Sequence, residues 1–183
     1  MARLQILYYP DPILTTLATD VEVYDEALAT LIEDMAETMY SDNGVGLAAP
    51  QVAISKRILV MDCGDPEDPE KASLYHFINP EIIRSQGTIL WDEGCLSFPG
   101  LTVEIERAES VRIRAYDVEG HPFEAELSGL PSVCVQHEID HLDGITLIDR
   151  VGPIRRRVAL TKWKKLREEL GLDDPIPEAP PPS

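Results

Sequence analysis

Apolar positions in this chain change their period twice, and each change marks a different element. From Asp25 to Tyr40, Leu28, Leu31, Ile32, Met35 and Met39 recur at three- and four-residue intervals, which predicts an amphipathic helix with Asp25 at its start. Ser41-Asp42-Asn43-Gly44 ends it. Strand-like runs follow. Arg57 to Met61 is continuously apolar after its first residue and reads as a buried strand. Tyr75 to Ile78 precedes a break at Asn79-Pro80, and the runs 81–85 and 88–91 flank Gln86-Gly87 like a hairpin. Thr102 to Glu106, Val111 to Tyr116 and Phe123 to Leu127 alternate and read as a meander.

Helical spacing returns at Leu130 to Leu142, and again from Pro153 to about Leu170, where Gly171 suits a C-cap. Strands thus cluster between helices without regular β-α alternation. The expected class is α+β: mostly antiparallel sheets around a central helix, with an N-terminal and a C-terminal helix. Residues 1–172 are expected to form one catalytic domain. Residues 173–183 hold five prolines and no periodicity, and read as a disordered tail.

The central helix carries His137-Glu138-Ile139-Asp140-His141. Residues four apart stack on one helix face, so both imidazoles can reach one metal ion. Glu138 lies beside the first, placed to exchange a proton with water at the metal. A catalytic metal needs a third protein ligand. Cys134 is near in sequence, but seven residues of helix separate it from His141, a rise of roughly 10 Å. It reads instead as a packing or pocket residue. Cys63 ends an apolar strand and reads as a core thiol. Cys95 follows Gly94, which frees the backbone to turn a side chain toward a site, and is the favoured ligand. His76 and His121 read as ordinary polar residues in a strand and a turn.

Composition narrows the partners. The 16 Lys and Arg against 33 Asp and Glu give a net charge of −17, which argues against non-specific affinity for DNA or anionic membrane. One basic patch interrupts this: Arg155-Arg156-Arg157 with Lys162, Lys164 and Lys165. No run approaches the roughly 18 apolar residues of a membrane helix, and no secretory signal is evident. Three widely spaced cysteines fit a reducing compartment, so the cytoplasm is the expected location.

A further loop, Gly44-Val45-Gly46-Leu47-Ala48-Ala49-Pro50-Gln51, is rich in small residues that let another backbone approach closely; alone it reads equally as a tight helix-to-strand connection, and because it follows a helix and not a strand it does not suit a dinucleotide fingerprint. Together with Glu93-Gly94-Cys95-Leu96-Ser97 and Gln136-His137-Glu138-Ile139-Asp140-His141, it resembles the peptide deformylases, whose motifs G-x-G-x-A-A-x-Q, E-G-C-x-S and Q-H-E-x-D-H occur in this order. The resemblance spans roughly residues 4–168.

It implies a metal-dependent hydrolase that removes the formyl group from N-formyl-methionyl peptides of new proteins. Cys95, His137 and His141 would hold the metal, Fe(II) in the cell, with zinc, nickel or cobalt as substitutes. Glu138 would be the general acid/base, Gln51 and the Leu96 N–H the oxyanion hole, and Gly46 a partner for the substrate backbone. Val45, Trp91, Glu93, Leu130, Val133, Cys134 and His137 would line the methionine pocket. A monomer is expected, with ribosome association possible through the basic C-terminal helix. Thr102, Pro131-Ser132 and Thr146-Leu147 depart from residues common in the family, which puts substrate preference in question. The alternatives are a divergent deformylase-like protein and an H-E-x-x-H metalloprotease, for which Glu168 or Glu169 would be the third ligand.

Overall fold

In the computed structural model, which describes residues 2–64 and 67–172, the core is built on a strand buried from both sides. Helix α1 spans Glu26–Ser41, and Asp25 caps it by accepting from the Leu28 N–H. Strands β1 (Gly46–Ala48), β2 (Ile58–Asp62), β3 (Leu74–Gln86), β6 (Ser110–Tyr116) and β7 (Pro122–Ser128) form one antiparallel sheet in the order β1-β2-β3-β6-β7. Strands β4 (Ile89–Glu93) and β5 (Val103–Arg107) form a separate antiparallel pair. Helix α2 is Leu130–Leu142 and α3 is Pro153–Glu169.

The continuous apolar run of β2 has a direct cause. Ile58 and Val60 join a cluster with Leu28, Ile32, Met35 and Met39 of α1. Leu59 and Met61 point the other way, into a cluster with Val135, Ile139 and Leu142 of α2. Alternation along β6 sends Val111, Ile113 and Ala115 to that second cluster and leaves Arg112 and Arg114 outside. A third cluster seats α3: Trp163 packs edge-on against Phe98, beside Val103 and Ile105, and its indole donates to the Tyr9 carbonyl at 3.0 Å.

Two expectations about strand pairing are corrected. The runs on either side of Gln86-Gly87 are not a hairpin, because β3 pairs with β2 and β6 while β4 pairs with β5. Likewise β5 does not continue into the β6-β7 meander. Gly87 has φ +71° and lets the chain leave one sheet for the other. Nor does Asn79-Pro80 end its strand. The β3-β6 register gains an extra β3 residue between Ile78 and Glu81, and Asn79 takes φ +49°, tied through its side chain to both the N–H and the carbonyl of Val21. The proline therefore sits in a bulge. The proposed tail, residues 173–183, lies outside the described residues.

The N-cap gives a test of stability. Asp25→Ala should lower the unfolding free energy by about 1 kcal/mol, measured by chemical denaturation, with α1 retained.

Candidate metal centre

Each element brings one part of the site. Helix α2 is buried along almost its whole length, and His137, Glu138, Asp140 and His141 are all under 8% exposed. Its four-residue spacing sets His137 Nε2 3.2 Å from His141 Nε2. Cys95 follows β4, and its Sγ lies 3.3 Å from His141 Nε2. One donor atom each from Cys95, His137 and His141 falls within a common 4.8 Å. The structure thus brings these three expected residues together. Cys134 Sγ instead donates to the Val45 carbonyl at 3.5 Å, and its thiol shares a hydrogen bond with Cys63.

Electrostatics favour a cation. His137 Nδ1 is 2.7 Å from Glu93 Oε1, which fixes the ring and leaves Nε2 turned to its partners. Burial lowers the pKa of His141, keeping its ring neutral with a lone pair available. For His137 burial pulls in the same direction, but Cys95 and Glu93 outweigh it and raise the pKa, so a metal ion would displace a proton there. A sulfur and two imidazole nitrogens suit a borderline-soft divalent ion with an open position.

Glu138 is the most exceptional group. Its Oε2 is buried with no hydrogen-bond partner among the described residues. Burial pushes its pKa up to about 7, against the lowering pull of His137 and Arg107. Gln51 is held from both ends: its Oε1 accepts from the Ala48 N–H at 2.9 Å, and its Nε2 donates to Ser97 Oγ at 3.1 Å and to Cys95 Sγ at 3.5 Å.

The donors open on a cavity of about 450 Å³, whose lining includes every residue expected for the methionine pocket: Val45, Trp91, Glu93, Leu130, Val133, Cys134 and His137. Gly46 and Leu96 line it as well. At Gly46 a side chain has no room, since a Cβ would lie 2.6 Å from Glu138 Oε1 and 2.8 Å from Cys134 Sγ. Glu93 is placed differently from a simple pocket wall. Its carboxylate is taken up by His137 and by a two-pronged pair with Arg107 at 2.8 and 2.9 Å. Burial alone would raise its pKa, yet Arg107 and His137 hold it below the ordinary value.

Arg107 was not singled out by the sequence, nor were Asp140 and Arg150. Arg107 also bonds Asp140, which accepts in turn from Arg150. A signal existed: Val103, Ile105 and Arg107 share one face of β5, so the alternation places an arginine at an apolar position. Of the departing residues, Ser132 bonds the Ala108 carbonyl, Thr146 caps a short turn through Asp149, and Thr102 is exposed.

A half-buried sulfur and two buried imidazoles, with an unpaired glutamate beside them on the wall of a cavity, form the arrangement of a metal-dependent hydrolase. Comparison with known proteins narrows it. The sequence model of the polypeptide deformylase family matches residues 3–157. A peptide deformylase of Chromobacterium violaceum is 45% identical over 169 residues, covering 92% of this chain and 99% of its own. One from Syntrophobacter fumaroxidans is 47% identical over 169 residues, covering 92% and 98%. The crystal structure of a Legionella pneumophila peptide deformylase superposes with TM-score 0.84 at 43% identity, covering 95% of this chain and all of that one. A structure from Synechococcus elongatus, solved with actinonin, gives 0.82 at 40% identity, covering 88% of each chain. The chain belongs to the polypeptide deformylase family. It is a hydrolase with the family's activity, removal of the formyl group from N-formyl-methionyl peptides.

Two substitutions test the geometry. Arg107→Met leaves two buried carboxylates without their shared cation and should cost about 3–5 kcal/mol of unfolding free energy by denaturant titration. Gly46→Ala should displace Glu138 and lower kcat/KM about 10²-fold, while metal content measured by mass spectrometry stays at one per chain.

Proposed function

We propose that residues 1–172 form one catalytic domain in which Cys95, His137 and His141 hold a single divalent ion and Glu138 carries the proton of deformylation. The observation behind this reading is the buried, unpartnered carboxylate oxygen of Glu138, a residue that adjoins the three-donor cluster and lines the cavity. When bound, the metal supplies a Lewis acid that polarises the formyl oxygen and acidifies water. Fe(II) is our assignment for the cell, and zinc, nickel and cobalt fit the same donors.

The chain's own groups divide the remaining work. A carboxyl whose pKa lies near neutrality exists in both protonation states, so Glu138 takes the proton of the attacking water and returns it to the departing peptide nitrogen. Formate and a free amino terminus result. The Gln51 amide can exchange its long contact to Cys95 for the formyl oxygen, while Ala48 and Ser97 keep it in place. The Leu96 N–H is the second donor to that oxygen. Strand β1 lies at the edge of its sheet, so an extended substrate can add beside Gly46. Trp91, Leu130, Val133 and Cys134 then receive the methionine side chain; the hydrogen bond with Cys63, together with burial, keeps the Cys134 thiol protonated. Such substrates are nascent chains, which supports a cytoplasmic location; we read the enzyme as a monomer, with the basic residues of α3 as a surface for the ribosome. No helix among the described residues is long and apolar enough to cross a membrane.

An internal peptidase is disfavoured by its ligand requirement. Glu168 and Glu169 are exposed at the end of α3, whereas Cys95 already lies against His141.

Glu138→Gln is the direct test. Formate release from formyl-Met-Ala-Ser should fall about 10²–10⁴-fold with metal content unchanged. Undiminished turnover would remove Glu138 from the mechanism, and cleavage of internal bonds would favour the peptidase.

A further inference from the structure

The catalytic cavity is lined by carboxylates and by no lysine or arginine. Asp42, Asp92, Glu93 and Glu138 all contribute to its wall. Asp42 is paired with Arg3, and Glu93 with Arg107. Asp92 is exposed and forms no ion pair among the described residues. Pro99 and Gly100 form one rim of this cavity.

Gly100 also borders a second depression, of about 390 Å³, completed by Leu101, Thr102, Lys162, Lys165, Leu166 and Glu169. The two depressions therefore meet at one residue. Gly100 has φ +84°, and a Cβ there would sit 3.3 Å from the Leu166 side chain, so strand-side loop and helix touch at the junction. The far bank is rigid. Helix α3 is anchored through Trp163, stacked edge-on against Phe98 and bonded to the Tyr9 carbonyl. Lys162 and Lys165 flank that anchor and are both exposed. Lys165 reaches Glu169 only at 3.9 Å, across a pair open to solvent, and Lys162 forms no ion pair among the described residues.

We infer that the depression between Gly100 and α3 is a downstream subsite, in which Lys162 and Lys165 receive an acidic side chain of the substrate. The inference rests on the reading that the formyl-methionine occupies the cavity. An extended peptide advances about 3.3 Å per residue, so only residues well beyond the methionine reach across Gly100. Acidic residues close to the methionine meet Asp42 and Asp92. Those farther along meet the first cations on the path. Thr102, short and exposed on the floor, leaves the lysines unobstructed. An ion pair in so open a place is weak and screened, which fits a preference among substrates better than a requirement.

The test is a glutamate walk. In formyl-Met-Ala-Ser peptides lengthened with glycine, one glutamate is moved from the third to the seventh position, with glutamine at the same place as reference. At one or two positions from the fourth onward, glutamate should raise kcat/KM about two- to fivefold over glutamine, through KM and not kcat. Raising salt to about 0.5 M should erase the difference. In K162Q/K165Q the ratio should fall to one, and in K162E/K165E a lysine peptide should be favoured instead. A ratio of one at every position, a preference that survives K162Q/K165Q, or one carried by kcat overturns the inference. Normal turnover of the tripeptide with a flat series overturns this subsite alone. No turnover of the tripeptide overturns the cavity reading and the subsite with it.

Discussion

A buried charge must have a partner, and Arg107 is the partner on which this site depends. Its guanidinium satisfies Glu93 and Asp140 of α2 together. Through Glu93 it fixes the Nδ1 side of His137, so the orientation of that imidazole, a donor in the proposed metal centre, is set from a neighbouring sheet. Without that cation, Glu93 would keep only His137 and Asp140 only Arg150, and the tie between β4 and α2 would be lost. The network's value lies in placement. A hydrophobic replacement could match its stability, but could not hold an imidazole at a chosen angle.

The same logic separates Glu138 from its acidic neighbours. Glu93 and Asp140 are compensated by arginine, and Glu93 stays ionised. Glu138 is left uncompensated on one oxygen, and desolvation raises it toward neutrality. Three residues of one helix are thus suited to different tasks in the proposed reaction, His137 and His141 to donate to a metal and Glu138 to move a proton, because their surroundings differ. Gly46 belongs to this arrangement. Its missing Cβ is the space in which the Glu138 carboxylate and the Cys134 sulfur lie.

Most of the fold was legible because its signals are local. The spacing of Leu28, Ile32, Met35 and Met39 predicts α1, and the unbroken run Ile58–Met61 predicts a buried strand, whose two faces the structure covers with α1 and α2. Pairing was less legible. Gln86-Gly87 looks like a hairpin because a turn between two apolar runs usually is one, yet the decision to change sheets is made by which edges are free, and that is a property of the whole molecule. The convergence of Cys95, His137 and His141 was legible from spacing and from the glycine before Cys95. Arg107 and Arg150 were not, although Arg107 sits in phase with Val103 and Ile105. A single charged residue at an apolar position has many explanations until its partners are known, and here they come from β4 and α2.

Distribution of charge links the acidic composition to the path of a substrate. With a net charge of −17, the protein repels anionic surfaces as a whole, so a local excess of lysine must act at short range or not at all. At such range the cavity and α3 have opposite character: carboxylates around the methionine end, ammonium groups beyond Gly100. Chemistry at the formyl group needs no contact that far away. Binding energy gathered there is the same for substrate and transition state, so it changes which chains are captured and leaves the rate of the chemical step alone. In the proposed reading, generality lies in the pocket that receives the methionine and discrimination at the edge, where weak contacts bias without excluding.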